Sequence, residues 1–126
     1  MAVVDPYSQY RQTQVLAATP ERLVLMLYEG AIRFLGEAKV AIAENNLAKA
    51  HEKLVRAQDI FTELQVSLNM DYEISKPLAS LYDYFKRRLI EANVKKDVSI
   101  IDEILELVRP LKDAWAEVCC RKAASQ

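Results

Sequence analysis

The chain has 126 residues, of which 52% are hydrophobic and 28% are charged, and it contains two glycines and four prolines. This length suits one domain with its own core, and the scarcity of turn-forming residues excludes a fold made of many β-hairpins. Seventeen basic and eighteen acidic side chains leave a net charge of −1, which excludes the basic excess typical of proteins that bind nucleic acid.

The first residues, MAVVDPYSQYRQTQ, lack the basic and apolar regions of a secretion signal. No apolar run in the sequence approaches the ~18 residues of a transmembrane helix. We therefore expect a cytosolic protein without membrane insertion. The adjacent Cys119 and Cys120 point about 100° apart on a helix, so we expect reduced thiols.

Residues 1–18 predict a short helix that begins after Pro6 and carries Tyr7 and Tyr10 on one side. Such a short helix is unstable alone in water, so it has to dock on the rest of the chain. Its tyrosines are either packing anchors or part of a movable cap over a groove.

The stretch 19–43 predicts the first long helix, with Thr19 as N-cap and Pro20 at the first helical position. Apolar residues spaced by three and four predict a core-facing stripe of Val24, Leu27, Tyr28, Ala31, Leu35, Ala38 and Ile42. Five more apolar residues lie off that stripe: Leu23, Leu25, Met26, Ile32 and Phe34. Because Gly30 weakens a helix, we expect a close helix crossing there.

Three further helices follow the same pattern. Asn46 is the expected N-cap of the second helix, Ser75 begins the third and Asp97 caps the fourth. Pro110 lies inside the fourth pattern and predicts a kink or break near Val108 to Pro110.

Four helices of about 20 to 27 residues with short links predict an all-α fold, an antiparallel up-down four-helix bundle. In this interpretation residues 1–126 form a single domain. Residues 1–18 are a short N-terminal helical cap, and residues 19–123 are the bundle.

Residues for catalysis or metal binding are missing from the pattern. A di-metal site in a bundle needs paired Glu-x-x-His motifs, but His51 is the only histidine and Ala48 lies three residues before it. There is no glycine-rich phosphate loop. We therefore predict a protein that is not an enzyme and uses no cofactor or metal.

The apolar residues off the stripes have three explanations: a wide core covered by the leader, a homodimer interface, or a groove for amphipathic helices of another protein. Composition and periodicity do not rank them.

Several segments, in this order, resemble the flagellar export chaperone family FliS. They are Asp5-Pro6-Tyr7 with Tyr10, residues 18–23 (ATPERL), 25–31 (LMLYEGA), 53–64 (KLVRAQDIFTEL) and 81–93 (LYDYFKRRLIEAN), and Arg109 with Ala114-Trp115. The resemblance implies a cytosolic chaperone of type III export that binds the C-terminal helical segment of flagellin and prevents premature polymerisation. The alternative is a non-enzymatic helical adaptor or homodimeric bundle without flagellin binding.

The resemblance also implies that the N-terminal segment, with Tyr7 and Tyr10, is a cap that shifts when flagellin binds. It leaves open whether an export-gate component also binds, and the protein is expected to be a monomer or a weak homodimer. The predicted partner-binding residues are Leu23, Leu25, Met26, Ile32, Ile60, Leu64, Leu81, Tyr84 and Arg88.

Overall fold

The computed structural model describes residues 19–124, which form four α-helices. They are α1 (Pro20–Ala43), α2 (Leu47–Val66), α3 (Ser75–Lys95) and α4 (Val98–Ala124). Helix α1 packs against α2 and α4, and α3 packs against the same two helices. The helices therefore surround one core in chain order, and the short connections make neighbours antiparallel. The predicted all-α four-helix bundle is confirmed, whereas the predicted cap helix with Tyr7 and Tyr10 lies outside the described residues.

The first two helices begin at the predicted caps. The side chain of Thr19 accepts a hydrogen bond from the backbone N–H of Arg22, at 3.2 Å. The side chain of Asn46 accepts one from the backbone N–H of Lys49, also at 3.2 Å. Each bond satisfies a donor that the first helical turn leaves without an intrahelical partner.

The third helix begins at Ser75 as predicted, but Ser75 is not its cap. Its hydroxyl donates to the carbonyl of Asn69 at 2.6 Å, and the residue is buried. This bond ties the start of α3 to the loop that precedes it. The fourth helix follows Asp97, whose carboxylate accepts from the hydroxyl of Ser99 at 2.6 Å and from the backbone N–H of Ser99 at 2.9 Å. These two hydrogen bonds lower the pKa of Asp97.

The core is built from one face of each helix, centred on Tyr28, Phe61, Phe85 and Ile104. On α1 the buried face is Leu25, Tyr28, Ala31, Leu35, Ala38 and Ala41. Leu25 is therefore buried, whereas a residue off the core stripe was expected to be partly exposed. The predicted stripe itself faces the core, because Val24, Leu27 and Ile42 pack against the buried residues of α1 and of the other helices.

Helix α4 runs through Pro110 as one helix of 27 residues, so of the predicted kink or break the break is absent. Proline removes the hydrogen bond to the carbonyl four residues earlier, which belongs to Glu106. Both residues lie on the exposed side of the helix. Water can therefore satisfy that carbonyl, and the rest of the helix stays anchored by its buried face.

None of the helices in this part of the chain is both long enough and apolar enough to cross a membrane.

Candidate partner-binding grooves

A groove of about 700 Å³ runs between the first half of α1 and the second half of α2. We call it the main groove; its lining residues are Pro20, Leu23, Val24, Met26, Leu27, Gly30, Arg33, Phe34, Ile60, Glu63 and Ser67. Most of these side chains are apolar and partly exposed. The main groove therefore presents apolar surface to water, which favours an apolar occupant.

The floor of the main groove depends on Gly30. A β-carbon added at Gly30 would lie 3.1 Å from Cδ1 of Ile60, which is closer than ordinary van der Waals contact. The missing side chain lets α2 approach α1 and lets Ile60 lie across the crossing point. The close helix crossing predicted at Gly30 is confirmed.

A second groove of about 250 Å³ lies at the end of the bundle. We call it the end groove; it is lined by Pro20, Glu21, Val24, Leu64, Ser67, Leu68, Asn69, Tyr72, Ile74, Ser75, Leu78, Tyr82 and Trp115. Pro20, Val24 and Ser67 line both grooves. The two grooves are therefore adjacent and share wall residues near the N-terminus of α1.

Tyr28 and Tyr82 support the end groove from inside the core. Their hydroxyl groups are hydrogen-bonded to each other, and both residues are almost completely buried. Burial raises the pKa of both tyrosines, and the hydrogen bond to Tyr82 raises the pKa of Tyr28 further. Both hydroxyls thus stay neutral and paired.

Large exposed apolar side chains lie in and beside the end groove, and two of them, Tyr72 and Ile74, line it. Val66 is 76% exposed, Ile74 65%, Tyr72 64% and Met70 53%. The sequence pattern did not predict these residues for the site, because Met70, Tyr72 and Ile74 lie in the loop after α2 and Val66 is the last residue of that helix. The composition of the loop between α2 and α3 could have indicated them, because this loop carries large apolar residues where polar residues are usual.

The predicted partner-binding residues do not form one surface. Leu23, Met26 and Ile60 are brought together in the main groove, whereas Leu64 is buried and borders the end groove. The others border neither groove: Leu25 is buried, Ile32, Leu81 and Tyr84 are partly buried against the core, and Arg88 is partly buried beside α4. Their role in binding stays a prediction.

Tyr84 and Arg88 have structural partners that join α3 to α4. The hydroxyl of Tyr84 donates to Oε2 of Glu103 at 3.1 Å, and Nε of Arg88 donates to Oε1 of Glu103 at 3.0 Å. Arg88 also donates to Glu91 at 2.6 Å. An acidic group on a partner protein would have to compete with both carboxylates for Arg88.

His51, the only histidine in the sequence, lies at the surface. Its ring is 2.9 Å from the side-chain amide of Asn93. Within residues 19–124 no group of three or more His, Cys, Asp or Glu side chains is arranged to hold a metal ion.

Comparison with known proteins gives one consistent family. The family model described as flagellar protein FliS matches residues 3–122. The chain is 39% identical over 117 residues to the flagellar secretion chaperone FliS of Bacillus subtilis, covering 93% of this chain and 88% of that protein. It is 35% identical over 109 residues to the flagellar secretion chaperone FliS of Escherichia coli, covering 84% and 80%.

A solved structure shares the fold. A crystal structure of a flagellar chaperone from bacteria superposes with a TM-score of 0.76 and covers 91% of this chain and 95% of its own, at 23% sequence identity.

Proposed function

The chain belongs to the FliS family of flagellar secretion chaperones, and from this premise we propose that it binds the C-terminal amphipathic segment of flagellin. The resemblance stated from the sequence is thereby confirmed, and so is a chaperone role in flagellar export. Members of this family are chaperones and not enzymes, as the sequence predicted.

The observation that carries the proposal is the apolar surface of the main groove and the adjacent end groove. An amphipathic helix buries its apolar face in such a groove, and each Leu or Met side chain buried contributes roughly 1.5 to 3 kcal/mol. The entropy lost when a disordered guest becomes ordered offsets part of this free energy, so binding can be selective and still reversible. Reversible binding is what a protein delivered to an export machine requires.

The N-terminal segment is the proposed occupant of the grooves before flagellin binds. Residues 1–18 join the bundle at Thr19, directly before Pro20, which lines both grooves. Tyr7 and Tyr10 would then cover apolar surface that the guest covers in the complex. Exchange between the two occupants would protect the grooves from water in both states.

In this proposal the chaperone acts in the cytosol, keeps flagellin from polymerising early and delivers it to the flagellar type III export apparatus. An export-gate component is a further proposed partner. The protein is expected to be a monomer or a weak homodimer when no guest is bound.

Replacement of Met26 by aspartate tests the proposal. Met26 lies in the main groove and is only partly buried, so a charge there should repel an apolar guest without breaking the core. We expect Met26→Asp to weaken binding of a synthetic C-terminal flagellin segment by more than about tenfold in calorimetry. The matched control is Val94→Asp, at an α3 position that is 80% exposed and borders neither groove.

Equal affinity of Met26→Asp and Val94→Asp, with intact helical circular dichroism, would contradict the main groove as the binding site. The competing function, a helical adaptor or homodimer, predicts a different result. In that case light scattering would show a stable dimer of the unmodified protein that ignores the flagellin segment.

A further inference from the structure

Three cationic side chains lie close to the aromatic ring of Phe34 at one end of the main groove. The guanidinium of Arg33 lies 5.0 Å from the centroid of Phe34, Nζ of Lys53 lies 5.5 Å from it and the guanidinium of Arg56 lies 5.9 Å from it. We call these four residues the Phe34 cluster. A ring face attracts cations, so Phe34 holds charges from α1 and α2 beside the same stretch of the groove.

The carboxylates near the Phe34 cluster leave its arginines available. Nε of Arg33 is 3.6 Å from Glu37, and Nε of Arg56 is 3.4 Å from Glu52. Both arginine side chains are 57% exposed, and such long, exposed pairs on one helix hold their partners weakly.

The charged groups in direct contact around the Phe34 cluster include more cations than carboxylates. Lys53 pairs more closely with Glu37, at 2.9 Å, and is mostly buried. Lys49 is near enough to help lower the pKa of Glu37, after Lys53, which is the main cause. These contacts join four cations to two carboxylates: the cations are Arg33, Lys49, Lys53 and Arg56, and the carboxylates are Glu37 and Glu52.

The opposite charge lies further along the same groove. Ile60 faces Gly30 across the helix crossing, and α1 and α2 are antiparallel. Glu63, one turn beyond Ile60, therefore lies towards the N-terminus of α1, whereas Arg56 lies towards its middle. Glu63 is exposed and borders the main groove. The groove thus has a positive end at Phe34 and a negative group in its other half.

We propose that the Phe34 cluster is a carboxylate-binding subsite that takes an acidic side chain of the bound amphipathic helix and thereby fixes the direction of that helix in the main groove. The apolar face of the guest then lies along Ile60, Met26 and Leu23, towards Pro20. A guanidinium offers a carboxylate two parallel hydrogen bonds, which gives the contact a defined geometry. A guest bound in reverse would place its acidic side chain near Glu63, which disfavours that direction. This inference rests on the proposed function, because it assumes a helical guest in the main groove.

The test compares two double variants that each remove two positive charges. Arg33→Gln/Arg56→Gln removes the exposed cations of the Phe34 cluster, and Arg87→Gln/Arg109→Gln removes two exposed arginines that border neither groove. The probe is a synthetic C-terminal segment of flagellin from the same organism, and calorimetry measures its affinity. At ~50 mM salt we expect the first variant to bind about five- to twentyfold more weakly than the second, and the gap to shrink at ~500 mM salt.

A charge exchange then identifies the guest side chain. Each acidic residue of the segment is changed in turn to lysine, and each peptide is measured against Arg33→Glu. One position should restore most of the affinity that Arg33→Glu loses, and that position fixes the direction of the helix.

Equal affinities of the two double variants at low salt would overturn the inference, and so would the absence of any restoring position. Those results do not contradict the proposed function if Met26→Asp still weakens binding of the flagellin segment. A segment that fails to bind the unmodified protein would overturn both.

Discussion

Replacing Gly30 by alanine separates what the close helix crossing does for stability from what it does for binding. Glycine inside a helix costs roughly 1 kcal/mol relative to alanine, so the substitution stabilises α1 unless the new methyl group meets an obstacle. At Gly30 the obstacle is Cδ1 of Ile60, 3.1 Å from the position of the new carbon. At Gly36 a new carbon has no neighbour within 4 Å, which makes Gly36→Ala the matched control.

The balance of these effects gives the expected magnitude. Relief of a 3.1 Å contact needs a shift of a few tenths of an ångström, and Cδ1 is the flexible end of a partly exposed side chain. We expect Gly36→Ala to raise the free energy of unfolding by about 1 kcal/mol and Gly30→Ala by about half as much. Because Ile60 lines the main groove, its shift should narrow the groove and weaken flagellin binding about threefold to tenfold.

Urea unfolding followed by circular dichroism measures the first quantity, and calorimetry with the flagellin segment measures the second. Gly36→Ala should bind the segment with unchanged affinity. A loss of more than about 1 kcal/mol of stability in Gly30→Ala would refute the reasoning, because it would mean that Ile60 cannot move. Stabilisation with unchanged binding would show that Ile60 is not part of the binding surface.

Three further substitutions test the elements that hold the grooves. Tyr28→Phe leaves the hydroxyl of Tyr82 buried without its partner, so it should lower the free energy of unfolding by about 1 to 2 kcal/mol in urea titration. An unchanged urea midpoint would contradict this prediction. Asp97→Ala should lower the melting temperature at pH 7. Because the pKa of Asp97 is lowered in the folded state, the stabilisation by its carboxylate is present above pH ~3.9 and should fade as the pH falls further. A difference in melting temperature between the two proteins that grows in acid would contradict this. Pro110→Ala restores a helical hydrogen bond and should raise the free energy of unfolding by about 2 to 3 kcal/mol, whereas a loss would show that Pro110 packs favourably.

The bounds of the helices could be predicted because their signals are local. Thr19 followed by Pro20 starts α1, and Asn46 starts α2, through bonds to the backbone of the next turn. The burial of Leu25 could not be predicted in this way, because it depends on packing between helices. Apolar residues lie on several sides of α1, and the rotation of the helix is decided by the packing of the other three.

The candidate site was predicted in part for the same reason. Leu23 and Met26 lie off the core stripe of α1 and do line the main groove. Leu81 and Tyr84 lie beside the stripe of α3, but α3 sits between α2 and α4, so they pack against the core and border neither groove. Periodicity indicates that a residue flanks a stripe, and only the neighbouring helix decides whether that flank is covered.

Trp115 turns the end groove into a spectroscopic reporter. It is the only tryptophan in the sequence, and it lies in the wall of the end groove while remaining partly exposed. Fluorescence excited selectively through tryptophan therefore observes one wall of one groove. A guest that reaches the end of the bundle should exclude water from the indole and shift its emission to the blue, whereas a guest confined to the main groove should leave the spectrum unchanged. The time course of that shift would give the order in which the two grooves are filled.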